Sequence, residues 1–183
     1  SWTQEVPDTS INFFNSFNLD KSSPIIDIGG GESRFVDYLI ENGFNNISIL
    51  DISENAINRV RERLGKNSKR INWIITDIND FNPKIKYSFL HDRALFHFLT
   101  EKKQIKRYTV IVNSYARNFL VGTFSKLGPS KCSGLDIRQY DKNSLEKLFC
   151  FGNLMMKECE YINHVTPFKT CLLYTSDAAD DTS

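Results

Sequence analysis

Short apolar runs alternate along this chain with stretches whose apolar positions recur at helical spacing. The runs are IIDI (25–28), ISIL (47–50), INWIIT (71–76), YSFLH (87–91), FLVGTF (119–124) and LMMKECEYI (154–162). Continuous rather than alternating apolar character marks strands covered on both faces, the condition of a parallel sheet between two helical layers.

Between the runs, Phe35, Val36, Leu39 and Ile40 form one face of a helix expected over 32–42, with Gly43 placed to cap its end. Ser53 is placed to cap a second helix carrying Ala56, Ile57, Val60 and Leu64. Thr100 opens a third, running to about Asn118, and Asp141 begins a short fourth with Leu145, Leu148 and Phe149. Phe13, Phe14 and Phe17 share a helical face before the first strand. The pattern predicts one α/β domain with a doubly wound, mostly parallel sheet. A turn-rich loop, KLGPSKCSG (126–134), follows the fifth strand.

Composition narrows the functional classes. With 23 basic and 22 acidic side chains, the chain has no bulk positive charge for nucleic acid, and none is expected as a partner. No apolar run approaches the roughly 20 residues that span a bilayer. The N-terminus has no signal-peptide pattern, so the expected compartment is cytoplasmic. The cysteines Cys132, Cys150, Cys159 and Cys171 form no C-x-x-C pair, and neither a structural metal nor a disulfide is expected.

The candidate chemistry lies in IIDIGGGESRF (25–35). In an open parallel sheet, ligands sit beyond the carboxyl ends of the strands. Three glycines there, Gly29, Gly30 and Gly31, clear Cβ atoms from a ligand's path. A Walker loop is excluded because its second glycine and its lysine are missing. A dinucleotide fingerprint fails at its third glycine, where Arg34 stands, and Glu32 would repel a pyrophosphate. A phosphate-free nucleoside with an amino-acid arm fits better. It needs acids in sequence along the strand ends, and Asp27 or Glu32, then Asp51, then Asp77 supply them.

At this point the chain resembles the class I, Rossmann-like methyltransferases that use S-adenosylmethionine. It is most similar to a bacterial group marked by four motifs, present here as SWTQ (1–4), DIGGGESR (27–34), HDRALFHFL (91–99) and TFSKLGPSKCSGL (123–135). The resemblance implies a three-layer fold, S-adenosylmethionine as cofactor and an unidentified methyl acceptor. On matching positions, Gly29, Gly30 and Gly31 would meet the methionine moiety and Asp51 the ribose. Ile52 would pack on the adenine, Asp77 and Ile78 would flank it, and Asp27 and His91 would complete the cofactor site.

Asp92 and His97 are the expected general bases if the acceptor carries a proton, although a histidine in an apolar stretch is commonly a core residue. Trp2 and Gln4, expected as a lid, join Arg93, Cys132, Arg138 and Tyr140 as candidate substrate contacts. His164 has a weaker case. The competing reading is a non-catalytic binding module on the same fold, and a dehydrogenase ranks third.

The frame is expected to be incomplete at both ends. It begins without methionine, and CLLYTSDAADD (171–181) resembles a translated sequencing adapter. Residues 1–170 are therefore expected to be the domain and 171–183 a non-native tail. The family's final antiparallel strand would then be truncated and strand five left with an unpaired, unstable edge. The family's proline-glycine turn before strand five is absent, so either Asn118 makes the turn or the helix is longer.

Overall fold

A computed structural model describes residues 8–93, 95–163 and 169–177, with side chains placed up to Tyr161. Its sheet has seven strands in the order β3-β2-β1-β4-β5-β9-β8. The strands are β1 (Ile25–Ile28), β2 (Ile47–Asp51), β3 (Ile71–Ile75), β4 (Tyr87–Asp92), β5 (Ala116–Phe124), β8 (Leu154–Asn163) and β9 (Lys169–Asp177). The first five run parallel, and β9 is antiparallel to both β5 and β8. A two-strand hairpin, β6 (Lys131–Cys132) with β7 (Leu135–Asp136), stands outside the sheet. Its two-residue loop, Ser133–Gly134, has positive φ at both positions, the geometry that a tight hairpin requires.

Helices α1 (Asp8–Ser16), α2 (Phe35–Glu41) and α3 (Glu54–Leu64) cover one face, and α4 (Lys102–Tyr115) and α5 (Lys142–Phe149) the other. Strand periodicity divides the core between them. Ile25, Ile49 and Phe89 pack with α1 to α3, whereas Ile26, Ile28, Leu50 and Leu90 pack with α4 and α5. Phe14 of α1 makes edge contacts with Phe35, Phe44 and Phe89 at centroid separations of 5.3, 5.1 and 5.0 Å. The expected phenylalanine face thus seats α1 on the sheet.

Capping follows the sequence in most places. Ser53 Oγ accepts from Ala56 N at 3.2 Å, and Asp141 forms a reciprocal capping box with Ser144. Gly43 follows α2 at φ +84°, where a side chain would be strained.

Four expectations need correction. The second helix starts at Phe35 rather than at 32, because residues 29–34 form the loop itself. The cap of α4 is Glu101, in a capping box with Gln104, rather than Thr100. Asn118 makes no turn: α4 runs into β5 at Ala116, and buried Asn118 donates Nδ2–H to Ser88 O at 2.8 Å. Finally, the last antiparallel strand is not truncated and β5 has no unpaired edge. Lys169–Asp177 pairs with β5 from Asn118↔Ser176 to Phe124↔Thr170 and with β8 on its other side. Tyr and Thr in CLLYTS are strand formers, which suits that place.

Candidate cofactor and acceptor site

The strand ends carry the site. Adjacent parallel strands bring Asp27 of β1 level with His91 of β4. Both side chains point to the α1–α3 face, and His91 Nδ1 lies 2.7 Å from Asp27 Oδ1. His91 Nε2 reaches Ser10 Oγ of α1 at 3.0 Å. All three residues are 1% exposed. The second oxygen, Asp27 Oδ2, is buried and has no hydrogen-bond partner among the described residues. A buried carboxylate oxygen without a donor is costly, so this geometry suits an incoming N–H group.

The glycines are fitted to these acids. Gly29 turns the chain at φ +68°. A Cβ on Gly30 would fall 2.7 Å from Asp27 Oδ2, and one on Gly31 would fall 2.5 Å from Asp51 Oδ2 and 2.7 Å from Ala56 Cβ. No L side chain fits at either position without displacing a carboxylate. Asp51 closes β2 half-buried, with Oδ2 accepting from Gly31 N at 2.9 Å and Oδ1 from Ser53 N at 2.8 Å. Each oxygen retains a lone pair for a further donor such as a sugar hydroxyl. Beside it Ile52 is 65% exposed, an apolar platform at the strand end. These residues fit a nucleoside with a cationic amino-acid arm. Glu32 is held away from the site in an ion pair with Arg59, Nε to Oε1 at 2.8 Å, which leaves Asp27 as the acid of the first loop.

Consecutive strand residues face opposite ways, so Asp92 points where His91 does not. It is wholly buried beneath α4. Tyr108 donates its hydroxyl to Asp92 Oδ2 at 2.5 Å, while Leu95 N and Phe96 N donate to Oδ1 at 2.8 and 3.3 Å. Burial, opposed by these donors, pushes the Asp92 carboxyl up to about 6. His97 is also fully buried, beside the rings of Phe98 and Phe124 at 4.3 and 5.0 Å, and desolvation lowers it to about 4. Neither can meet an acceptor as it stands, which corrects their reading as general bases. Both anchor the turn that follows β4.

The other candidates stand in varied surroundings. Both ring nitrogens of His91 are taken, by Asp27 and Ser10, which leaves it no polar atom for a cofactor. Asp77 Oδ1 is taken by its own turn, accepting from Asn79 N and Nδ2 at 2.7 Å each, and the Ile78 side chain belongs to the core. Cys132 is 7% exposed in a cluster with Phe124 and Ile137. Tyr140 is 1% exposed and stacked on Phe96 at 4.8 Å, and burial raises its hydroxyl pKa. Arg93 is partly buried after β4, and Arg138 lies over the Tyr140 ring at 5.8 Å. Trp2, Gln4 and His164 lie outside the described residues, as does Ala94 of the HDRA segment. Sequence reasoning missed Ser10 and Tyr108. Their signal was slight, a polar atom on an otherwise apolar helix face, with nothing in spacing to name the partner across the sheet.

Comparison with known proteins bears on the fold that carries these residues. Residues 25–113, from β1 into α4, match the methyltransferase domain family. That match, over just under half of the chain, and the sheet topology are those of the class I, Rossmann-like methyltransferase fold, whose enzymes use S-adenosylmethionine. Over 105 residues it is 26% identical to malonyl-[acyl-carrier protein] O-methyltransferase 1 of Ilyobacter polytropus, covering 57% of this chain and 39% of that relative. An S-adenosylmethionine-dependent methyltransferase of Clostridium acetobutylicum superposes with a TM-score of 0.74 at 12% identity, covering 92% of this chain and 89% of that one. The 1,6-didemethyltoxoflavin-N1-methyltransferase of Burkholderia thailandensis, solved with S-adenosylhomocysteine bound, gives 0.73 at 15% identity over 96% of this chain and 81% of that one. No helix among the described residues is long and apolar enough to cross a membrane, and none of their acidic, histidine and cysteine side chains cluster as metal ligands.

Proposed function

We propose that the protein transfers the S-adenosylmethionine methyl group to the oxygen of a carboxylate, presented as a malonyl-type thioester on an acyl carrier protein. The observation that carries this reading is the burial of Asp92 and His97. With both candidate bases inside the protein, the site suits an acceptor that is already deprotonated at neutral pH. A carboxylate has no proton to lose, whereas an ammonium or a hydroxyl would need a base. The relative from Ilyobacter polytropus, named for malonyl O-methylation, points the same way.

S-adenosylmethionine supplies a methyl group already activated by a positively charged sulfur, so the protein's task is alignment and exclusion of water. Asp51 would hold the ribose hydroxyls through its free lone pairs. Asp27 Oδ2 would accept from the ammonium of the amino-acid arm. Gly30 and Gly31 leave room beside both carboxylates, and Ile52 would lie against the base. The Asp92 network would hold the turn after β4, and with it the acceptor side, in one position.

Calorimetry with S-adenosylmethionine, followed by assay of methyl transfer to a malonyl thioester, tests the reading. Micromolar binding and a methyl ester product are expected. Cofactor binding with transfer to amines or hydroxyls, but none to the carboxylate, would overturn the acceptor; no binding by the folded protein would favour a non-catalytic module.

A further inference from the structure

A groove of about 260 Å³ lies between α4 and α5, and its walls are cationic. Lys102 and Lys106 come from α4, Lys147 from α5 and Arg138 from the segment between β7 and α5, while Leu148 and Phe151 supply apolar surface. None of the four cations is paired with a carboxylate among the described residues. In a chain whose net charge is +1, that is a local concentration of charge.

The arrangement does not serve the helix. Lys102 and Lys103 open α4, where the helix dipole disfavours cations, and the first turn has no acidic residue after the Glu101 cap. Phe151 is 61% exposed on the same groove, an aromatic ring with no core to join. An exposed aromatic ring ringed by cations suits an apolar contact surrounded by ion pairs to an acidic partner. The groove also adjoins the acceptor side. Arg138 N donates to His97 O at 2.8 Å, in the turn that follows β4, and α4 starts five residues later.

We infer that the α4–α5 groove docks an acidic carrier protein, with Lys102, Lys106, Lys147 and Arg138 pairing with its carboxylates and Phe151 entering an apolar patch between them. This rests on the reading of the acceptor as carrier-bound. The open shape and apolar floor favour a folded protein over a nucleic acid, which would want charge spread along a backbone. A carrier held there presents its tethered acceptor at the carboxyl edge of the sheet, where Asp27 and Asp51 stand.

The test titrates an acyl carrier protein, which is small and acidic, into the full chain and reads anisotropy, so that docking is measured apart from transfer. Saturable binding that weakens with salt is expected, falling at least about tenfold in Lys102→Glu/Lys106→Glu and more modestly in Phe151→Ser. S-adenosylmethionine affinity should be unchanged in both. In the transfer assay, the charge reversal should raise KM for the carrier-borne malonyl group and leave KM for a malonyl thioester of a small thiol as it was. Binding that ignores these substitutions, or a preference for a single-stranded oligonucleotide that the substitutions abolish, would overturn the docking site. Absence of transfer to either thioester, with groove-dependent binding intact, would instead overturn the acceptor and leave the docking surface standing.

Discussion

Asp27 and Asp92 stand on neighbouring strands, each near the carboxyl end and each 1% exposed or less, yet they differ in what they have left to give. Asp92 is saturated by Tyr108 and two backbone N–H groups. Asp27 has one oxygen on His91 and the other on nothing among the described residues. A carboxylate with every lone pair directed at protein fixes a turn, whereas one with a vacant buried oxygen is prepared for a donor. Burial alone therefore does not separate structure from function here; the hydrogen-bond inventory does.

That contrast can be broken at either end. The largest effect is expected from Asp92→Ala, which strands three buried donors and should cost about 3 kcal/mol or more of stability, read as a fall in urea midpoint. Asp92→Asn, keeping an acceptor, should cost much less and leave cofactor affinity alone. A large loss of affinity in a stably folded Asp92→Asn would contradict the structural role.

Next comes Asp51→Ala. It should weaken S-adenosylmethionine binding by about 100-fold, because two charge-assisted contacts and the hold on Gly31 go together. Circular dichroism should show the fold intact, and unchanged affinity would remove Asp51 from the site.

Gly30→Ala should weaken cofactor binding by about tenfold, since the new methyl would stand 2.7 Å from Asp27 Oδ2 and displace it. Gly43→Ala, with open space at its Cβ, is the control: it should strain a positive φ and lower stability by about 1 kcal/mol, with affinity unaffected. Equal affinity losses in both would mean that loop strain, rather than the Asp27 contact, decides binding.

The smallest effect is in pH. Asp92, raised from 3.8 to about 6, takes up a proton in the folded state before the unfolded chain does, so acidification from about 6 to 4 favours folding through this group. His97, lowered from 6.5 to about 4, does the reverse: the unfolded chain binds the proton first and stability is lost across nearly the same window. The two contributions oppose one another. In His97→Gln the acid side should gain stability relative to wild type, and in Asp92→Asn it should lose it, by up to about 1.4 kcal/mol per pH unit. Urea midpoints at pH 4.5 and 6.5 check this; parallel slopes in all three proteins would refute it.

Much of the architecture was legible because it depends on local periodicity. Continuous apolar runs marked the parallel strands, Ser53 and Asp141 marked two helix starts, and Gly43 a helix end. The last strand was misjudged, because composition at 171–177 signalled an adapter while its strand-forming residues still complete the sheet between β5 and β8. The meeting of Asp51 with the glycine loop was readable because strand ends and missing Cβ atoms have a meaning independent of distant partners. Asp92 and His97 were misread because titratable residues after a strand look alike whether they face solvent or core. Cys132 in the turn-rich loop is buried with Phe124 and Ile137, and Tyr140 stacks on Phe96, because what covers a loop comes from elsewhere in the chain.

The order of strands and helices, the ligand class suggested by the first loop and the carboxylate at the end of β2 thus follow from the amino-acid sequence, because each depends on neighbours within a turn or a strand. The pairing of Asp27 with His91 and of Glu32 with Arg59, the retreat of His91 and Asp92 to opposite faces, and the gathering of four cations between α4 and α5 were decided by tertiary structure alone. Those outcomes depend on which atoms from distant parts of the chain arrive within 3 Å of one another, and no spacing along the chain encodes that distance.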